Sequence, residues 1–246
     1  MKIALCFYGQ PRFYKNQEIV DFLRDIRAED VEVDVYMHIW KPSEKDYTRS
    51  PHSGIDLHLA VIDDYQNLEE RVKETYSPAA LVIEDERKLC ETDDLFQEIA
   101  RRRFYSQKKV SDLLKESGKN YDLVFKMRTD SAVRGILPLK ELNDKYIWVP
   151  DNVSSPYFYN EDFSISSQEN FYKSTDTYSN LKEFGARGAA HFGETMFKAQ
   201  LEKEGLTKNA RRNRFINVGL VKGERPKRLT GVWINEEFHQ AIELQE

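Results

Sequence analysis

Cysteine is nearly absent. The 246 residues hold two, Cys6 and Cys90, with no CxxC or Cys/His spacing that would make a zinc site. A disulfide framework is therefore not expected, and a reducing compartment fits best. Long apolar runs are missing too. No stretch approaches the roughly 18 apolar residues of a membrane span. The opening "MKIALCFYGQPRF" has one lysine and a short apolar run that stops at Gly9-Gln10-Pro11, too short for a signal peptide. A soluble cytosolic protein, bacterial or in a viral host, is the expectation, with peripheral membrane contact left open. Basic excess is also lacking. Lys and Arg number 37 against 42 Asp and Glu, a net charge of -5, which is not the footprint of a nucleic-acid binder. The densest basic stretches, Arg101-Arg102-Arg103 and Arg211-Arg212-Asn213-Arg214, read as a solvated face or as contacts to an anionic partner. Several catalytic signatures are missing: GxxxxGK[ST], a GxGxxG after the first apolar run, HExxH and GxSxG. "GARGAAHFG" is glycine-rich, but it comes late and follows a helical pattern.

What is present is an alternation of extended and helical patterns. Residues 2–8 form an apolar run that predicts a central strand, stopped by Gly9 and Pro11. Over 13–27, Ile19, Val20, Phe22, Leu23 and Ile26 have helical spacing. Residues 31–40 predict a second strand, 67–76 a helix and 80–83 a short strand. Residues 94–115 form a long helical stretch opened by Asp94 and Gln97 as a capping box. Its apolar positions drift (Ile99, Phe104, Val110, Leu113, Leu114), leaving one helix or two. A strand over 122–127 follows, then strands over 146–149 and 163–165. Ser166 with Glu169 predicts a capped helix running to about 184, and further helix and strand signals fall over 194–204 and 215–221. Strands alternating with helices predict one α/β domain with a mostly parallel sheet, covered on both faces. In such a sheet ligands gather at the carboxyl ends of the strands.

That rule gives meaning to "YDLVFKMRTDS", residues 121–131. A buried strand over 122–127 would deliver Arg128, Thr129 and Asp130 to the mouth of the sheet, where charge is useful rather than costly. The first strand would end at the same rim in "YGQPRF". There Tyr8 is suited to stacking, Gly9 to the turn, Gln10 to hydrogen bonding and Arg12 to an anion. The second would end with His38 and Trp40. Asp130 could hold a hard cation or a sugar hydroxyl. Arg128 and Arg12 could grip a diphosphate through forked hydrogen bonds. Thr129 and Ser131 add small donors. Alternatively, Arg128 and Asp130 form a pair that only holds a loop.

Taken in order, "FYGQPRF", "YSQKKV", "YDLVFKMRTDS" and "NEDFSISSQENFYK" resemble glycosyltransferases of the GT-A type, and most of all the WavE-like lipopolysaccharide and polysaccharide-synthesis proteins of bacteria and viruses. The resemblance covers roughly the first 200 residues. It implies a single GT-A-like domain, with residues 1–135 as the nucleotide-sugar half and 136–246 as the acceptor half. It implies a nucleotide-diphosphate sugar donor bound by Tyr8, Gly9, Gln10, Arg12, Arg128, Asp130 and Ser131, and a glycan acceptor. Asp130 would match the sugar- and metal-binding acid of the DxD motif, with Mn²⁺ or Mg²⁺ as the ion. The chain departs from that motif, because Arg128 stands where the first Asp is expected. On the acceptor side the resemblance implies Glu194, Asp162 and His191 as candidates to remove the acceptor's proton. Glu194 also suits a helix N-terminus on electrostatic grounds alone. Tyr157, Phe158 and Tyr159 could stack a sugar or pack a loop. Rival expectations are a non-catalytic glycan- or partner-binding protein of the same fold, and a nucleotidyltransferase.

Overall fold

A computed structural model describes residues 1–10, 17–41, 67–85, 89, 95–135, 138–151, 159–186, 193–214 and 216–220. Nine strands and six helices lie among them, in the order β1 Lys2–Gly9, α1 Gln17–Ala28, β2 Glu32–Lys41, α2 Leu68–Tyr76, β3 Ala80–Asp85, α3 Leu95–Glu116, β4 Leu123–Arg128, β5 Ser131–Gly135, β6 Ile147–Pro150, β7 Phe163–Ser166, α4 Gln168–Thr175, α5 Thr177–Ala186, α6 Gly193–Lys203, β8 Ala210–Asn213 and β9 Asn217–Leu220. Seven strands form one mostly parallel sheet, ordered β3-β2-β1-β4-β7-β6-β8, while β5 and β9 pair separately.

The first four strands run parallel, with Tyr8 beside His38 on one side and Arg128 on the other. β7 is antiparallel to both β4 and β6, and β8 is parallel to β6. The carboxyl ends of β1 to β4, β6 and β8 therefore share one rim with the amino end of β7.

Side-chain alternation sorts the core. Ile3, Leu5 and Phe7 of β1 pack with Ile19, Phe22 and Ile26 of α1 and with Val72 of α2. Ala4, Cys6 and Tyr8 face the other way, against Val110 and Leu114 of α3 and Phe171 of α4. Helix α6 covers β6 through Phe197 and Leu201, and α5 packs on α3 through Leu181 and Phe184. Helices thus lie on both faces, as the α/β alternation requires. Cys6 is fully buried and free. Cys90 lies outside the described residues. No helix among those described is long and apolar enough to cross a membrane.

Two local expectations are corrected and one left open is decided. The long helical stretch, read as one helix or two, is one. The stretch read as one helix to about 184 is two, α4 and α5, parted at Asp176. Its cap is Ser167, whose hydroxyl accepts from the Asn170 amide, rather than Ser166. The basic Arg211-Arg212-Asn213 segment belongs to β8, where Arg211 stacks over Tyr146 and Arg212 over Tyr159.

Candidate active site at the rim between β1 and β4

The order β3-β2-β1-β4 creates a switch point. The chain moves outward from β1 through β2 to β3, then returns across the sheet by α3 to β4 on the other side of β1. In open α/β sheets ligands bind beyond the carboxyl ends of the strands at such a point. Tyr8-Gly9-Gln10 and Arg128-Thr129-Asp130 meet there. The Thr129 amide donates to the Tyr8 carbonyl at 3.1 Å. The Thr129 hydroxyl donates to the Gln10 carbonyl. Gly9 turns the chain with φ +108°, a conformation that favours glycine.

Charge is concentrated at this rim. The Arg128 guanidinium donates to both oxygens of Asp130, Nε and Nη2 each at 2.7 Å, and through Nη1 to Asp162 at 3.2 Å. Strand pairing explains the second contact, since Met127 lies opposite Phe163 and so sets Arg128 beside Asp162. Arg103 of α3 pairs with Glu161 and lies 3.7 Å from Asp162. Two guanidiniums, from β4 and α3, therefore tie together three carboxylates, one in the turn after β4 and two in the segment before β7. Burial raises the Asp162 carboxyl's pKa, but Arg128 and then Arg103 outweigh it and hold the group below the usual carboxylate range. Burial opposes the charge on Arg128, yet Asp130 and Asp162 raise it well above the ordinary arginine value.

Helix α3 reaches the rim with a polar stripe. Arg103, Ser106 and Gln107 continue, at helical spacing, the face that buries Val110 and Leu114. Ser106 Oγ accepts from the Gly9 amide at 3.1 Å and sits 2.7 Å from His38 Nδ1. Gln107 Nε2 reaches the Glu161 carbonyl at 3.5 Å. His38 is fully buried, and burial lowers its pKa to about 4 although Glu84 opposes this. It is neutral at physiological pH.

The sequence-derived residues separate into groups. Arg128, Asp130, Asp162, Gly9 and Gln10 converge at the rim. Tyr8 is there but buried, its hydroxyl donating to the Glu161 and Asp162 carbonyls at 3.1 and 3.3 Å, so it braces the segment before β7 rather than offering a stacking face. Trp40 is likewise buried, stacked on Tyr105 with centroids 5.3 Å apart. Ser131 is buried at the start of β5, opposite Leu220. Glu194 lies half-buried in the first turn of α6. Its neighbour Gly193 packs so closely on the Arg103–Glu161 pair that an added Cβ would collide with both side chains. Arg12, His191, Tyr157 and Phe158 lie outside the described residues.

The residues present do not fit a divalent ion held at Asp130. Both of its oxygens are engaged by Arg128, and no group of three or more His, Cys, Asp or Glu is placed to hold a metal among the described residues. Arg103 and Glu161 are partners that the sequence reading missed. The signal for Arg103 was there, in helical register with Gln107 and Val110. Glu161 gave none, because a lone acid in a loop looks incidental. No known family model matches the chain, and no curated protein matches it either.

Proposed function

We propose that the chain is a GT-A-type glycosyltransferase, transferring a sugar from a nucleotide-diphosphate donor to a hydroxyl of a glycan acceptor. The observation that supports this reading best is the meeting of Tyr8-Gly9-Gln10 and Arg128-Thr129-Asp130 at the switch point of a parallel sheet. On this reading the donor lies across the ends of β1 and β4, in the half formed by residues 1–135. The acceptor approaches from the side of residues 136–246, past Asp162 and Glu194. The acceptor oxygen bonds to the anomeric carbon as the bond from that carbon to the diphosphate breaks. Asp162 or Glu194 takes the hydroxyl proton, and the nucleoside diphosphate leaves with the electron pair. On this reading Arg128, which stands where a DxD motif has its first acid, turns part of its guanidinium from Asp130 and Asp162 toward the leaving diphosphate.

A second reading, a non-catalytic binding protein of the same fold, is favoured by the full engagement of Asp130 with Arg128. Calorimetry with UDP, GDP and CMP, each with and without Mn²⁺, separates the two. Binding of one nucleoside diphosphate is expected. Binding of none would favour the non-catalytic protein, and Mn²⁺-dependent binding would restore a metal to the site.

A further inference from the structure

His38 and Ser106 are both fully buried, and neither has a part in the transfer described above. They meet at the end of β1. The Ser106 oxygen accepts from the Gly9 amide at 3.1 Å and stands 2.7 Å from His38 Nδ1. The other ring nitrogen, Nε2, makes no hydrogen bond to the described residues and lies 3.6 Å from a Glu84 oxygen. A serine, a histidine and an acid in a row suggest a nucleophile. Ser106 is closed off from solvent, however, and the ring presents Nδ1 to it rather than Nε2. The trio has another use, and the neighbours of the ring decide it. Burial opposes ionisation of Glu84, but the Tyr105 hydroxyl, His38 and Lys109 outweigh it and hold the carboxyl below its ordinary range. Nε2 thus faces a carboxylate. A bare lone pair there would be repelled, and an N–H is attracted. A proton on Nε2 leaves Nδ1 as an acceptor. The donor within reach is the Ser106 hydroxyl, for which the His38 carbonyl at 3.4 Å is a poorer partner. With its proton committed to the ring, Ser106 offers lone pairs to the Gly9 amide. The same turn is held from β4, where Thr129 donates through its amide to the Tyr8 carbonyl and through its hydroxyl to the Gln10 carbonyl.

We infer that His38 is a positioning residue of the rim: as the neutral Nε2–H tautomer, steered by Glu84, it orients the Ser106 hydroxyl so that the Ser106 oxygen pins the Gly9 amide, and with Thr129 this fixes residues 8–10 at the carboxyl end of β1. The positioning stands without the glycosyltransferase reading, and its consequence for the donor rests on that reading. Glu84 faces the ring from β3, Lys109 and Tyr105 from α3 and Trp40 from β2 itself, and Tyr8 lies alongside on β1. Burial keeps the ring neutral down to about pH 4, with Glu84 opposing it and Lys109 assisting.

Long-range ¹H–¹⁵N NMR of the full wild-type chain across pH reads the ring directly, with the His38 signals assigned through His38→Asn. A protonated Nε2 and a bare Nδ1 are expected, unchanged down to about pH 4. A proton on Nδ1, or protonation in the ordinary histidine range, would overturn the inference, because neither form can accept from Ser106. Two variants separate positioning from packing. The side-chain oxygen of Asn stands as many bonds from Cβ as Nδ1 does in histidine, so His38→Asn keeps an acceptor for Ser106. Gln reaches one bond further, so His38→Gln loses it. Exchange of the Gly9 amide, measured against the other amides of β1, should stay near wild type in His38→Asn and quicken about tenfold in His38→Gln. Equal quickening in both overturns the inference, because loss of the ring's packing is common to the two. Between about pH 4 and the ordinary histidine range the unfolded chain binds more protons at this residue than the folded one. The stability of wild type relative to His38→Asn should therefore rise with pH across that window, and a flat difference would contradict a neutral ring. UDP, GDP and CMP calorimetry on the same samples keeps the two ideas apart. A Gly9 amide released in His38→Gln alone, in a chain that binds no nucleotide, supports the positioning and contradicts the transferase. Nucleotide binding with equal release in both variants does the reverse.

Discussion

Arg128→Ala should lower stability by about 3–5 kcal/mol and abolish nucleotide binding. The stability loss follows from what the substitution leaves behind. Asp130 is buried and loses the guanidinium that serves both its oxygens, while Asp162 keeps, among the described residues, Arg103 at 3.7 Å. A buried carboxylate stripped of its cation is far costlier than a missing surface pair. Urea unfolding of Arg128→Ala, Asp130→Ala and the double variant measures the coupling. The double variant should be less destabilised than the two single losses added together, because removing both partners leaves no orphaned charge on this pair. Losses that simply add, each under about 1 kcal/mol, would mean a solvated rim pair instead. Arg128→Lys separates charge from geometry: it keeps the cation but cannot make the parallel pair of bonds to Asp130, so it should fold better than Arg128→Ala and bind nucleotide more weakly than wild type.

Arg103→Ala is expected to cost about 3 kcal/mol by the same reasoning, although the residue sits in a run of three arginines that looks like a solvated helix face. Its partner Glu161 is only 3% exposed and lies under the first turn of α6, held there by the close approach of Gly193. The amino end of α6 should offset part of the loss by favouring the orphaned carboxylate. Lys73→Ala provides the contrast. Lys73 also bonds a glutamate, Glu69, at 2.6 Å, but both side chains are about 60% exposed, and its removal should cost about 0.3–0.5 kcal/mol. Equal midpoint shifts for the two variants would show that Arg103 is not part of a buried cluster.

The parts of this site that the sequence disclosed are those where a local pattern changes abruptly. β1 and β4 are apolar runs ended by glycine and by charge, so Gly9, Gln10, Arg128 and Asp130 could be placed at one rim. β8 and β5 were not legible. β8 is an edge strand, "ARRN", whose arginines are accommodated by stacking on tyrosines, and β5 depends on a distant partner, β9. Helix α3 left its continuity open for a physical reason. Its buried stripe is apolar at Val110 and Leu114 but polar at Arg103, Ser106 and Gln107, because there it faces the charge cluster rather than the core. The drift in periodicity marks where the helix meets that cluster. Tyr8 shows the opposite limit: its place was readable, but which way its hydroxyl pointed depended on Glu161, 153 residues away.

The central claim is that a nucleoside diphosphate binds across the ends of β1 and β4. Amide hydrogen exchange, followed with and without saturating UDP, GDP or CMP, tests it most directly. The account predicts that at least one nucleotide slows exchange over residues 8–10 and 128–131, and that Arg128→Lys weakens the effect. Protection confined to the opposite edge of the sheet, or none with any nucleotide, would contradict it.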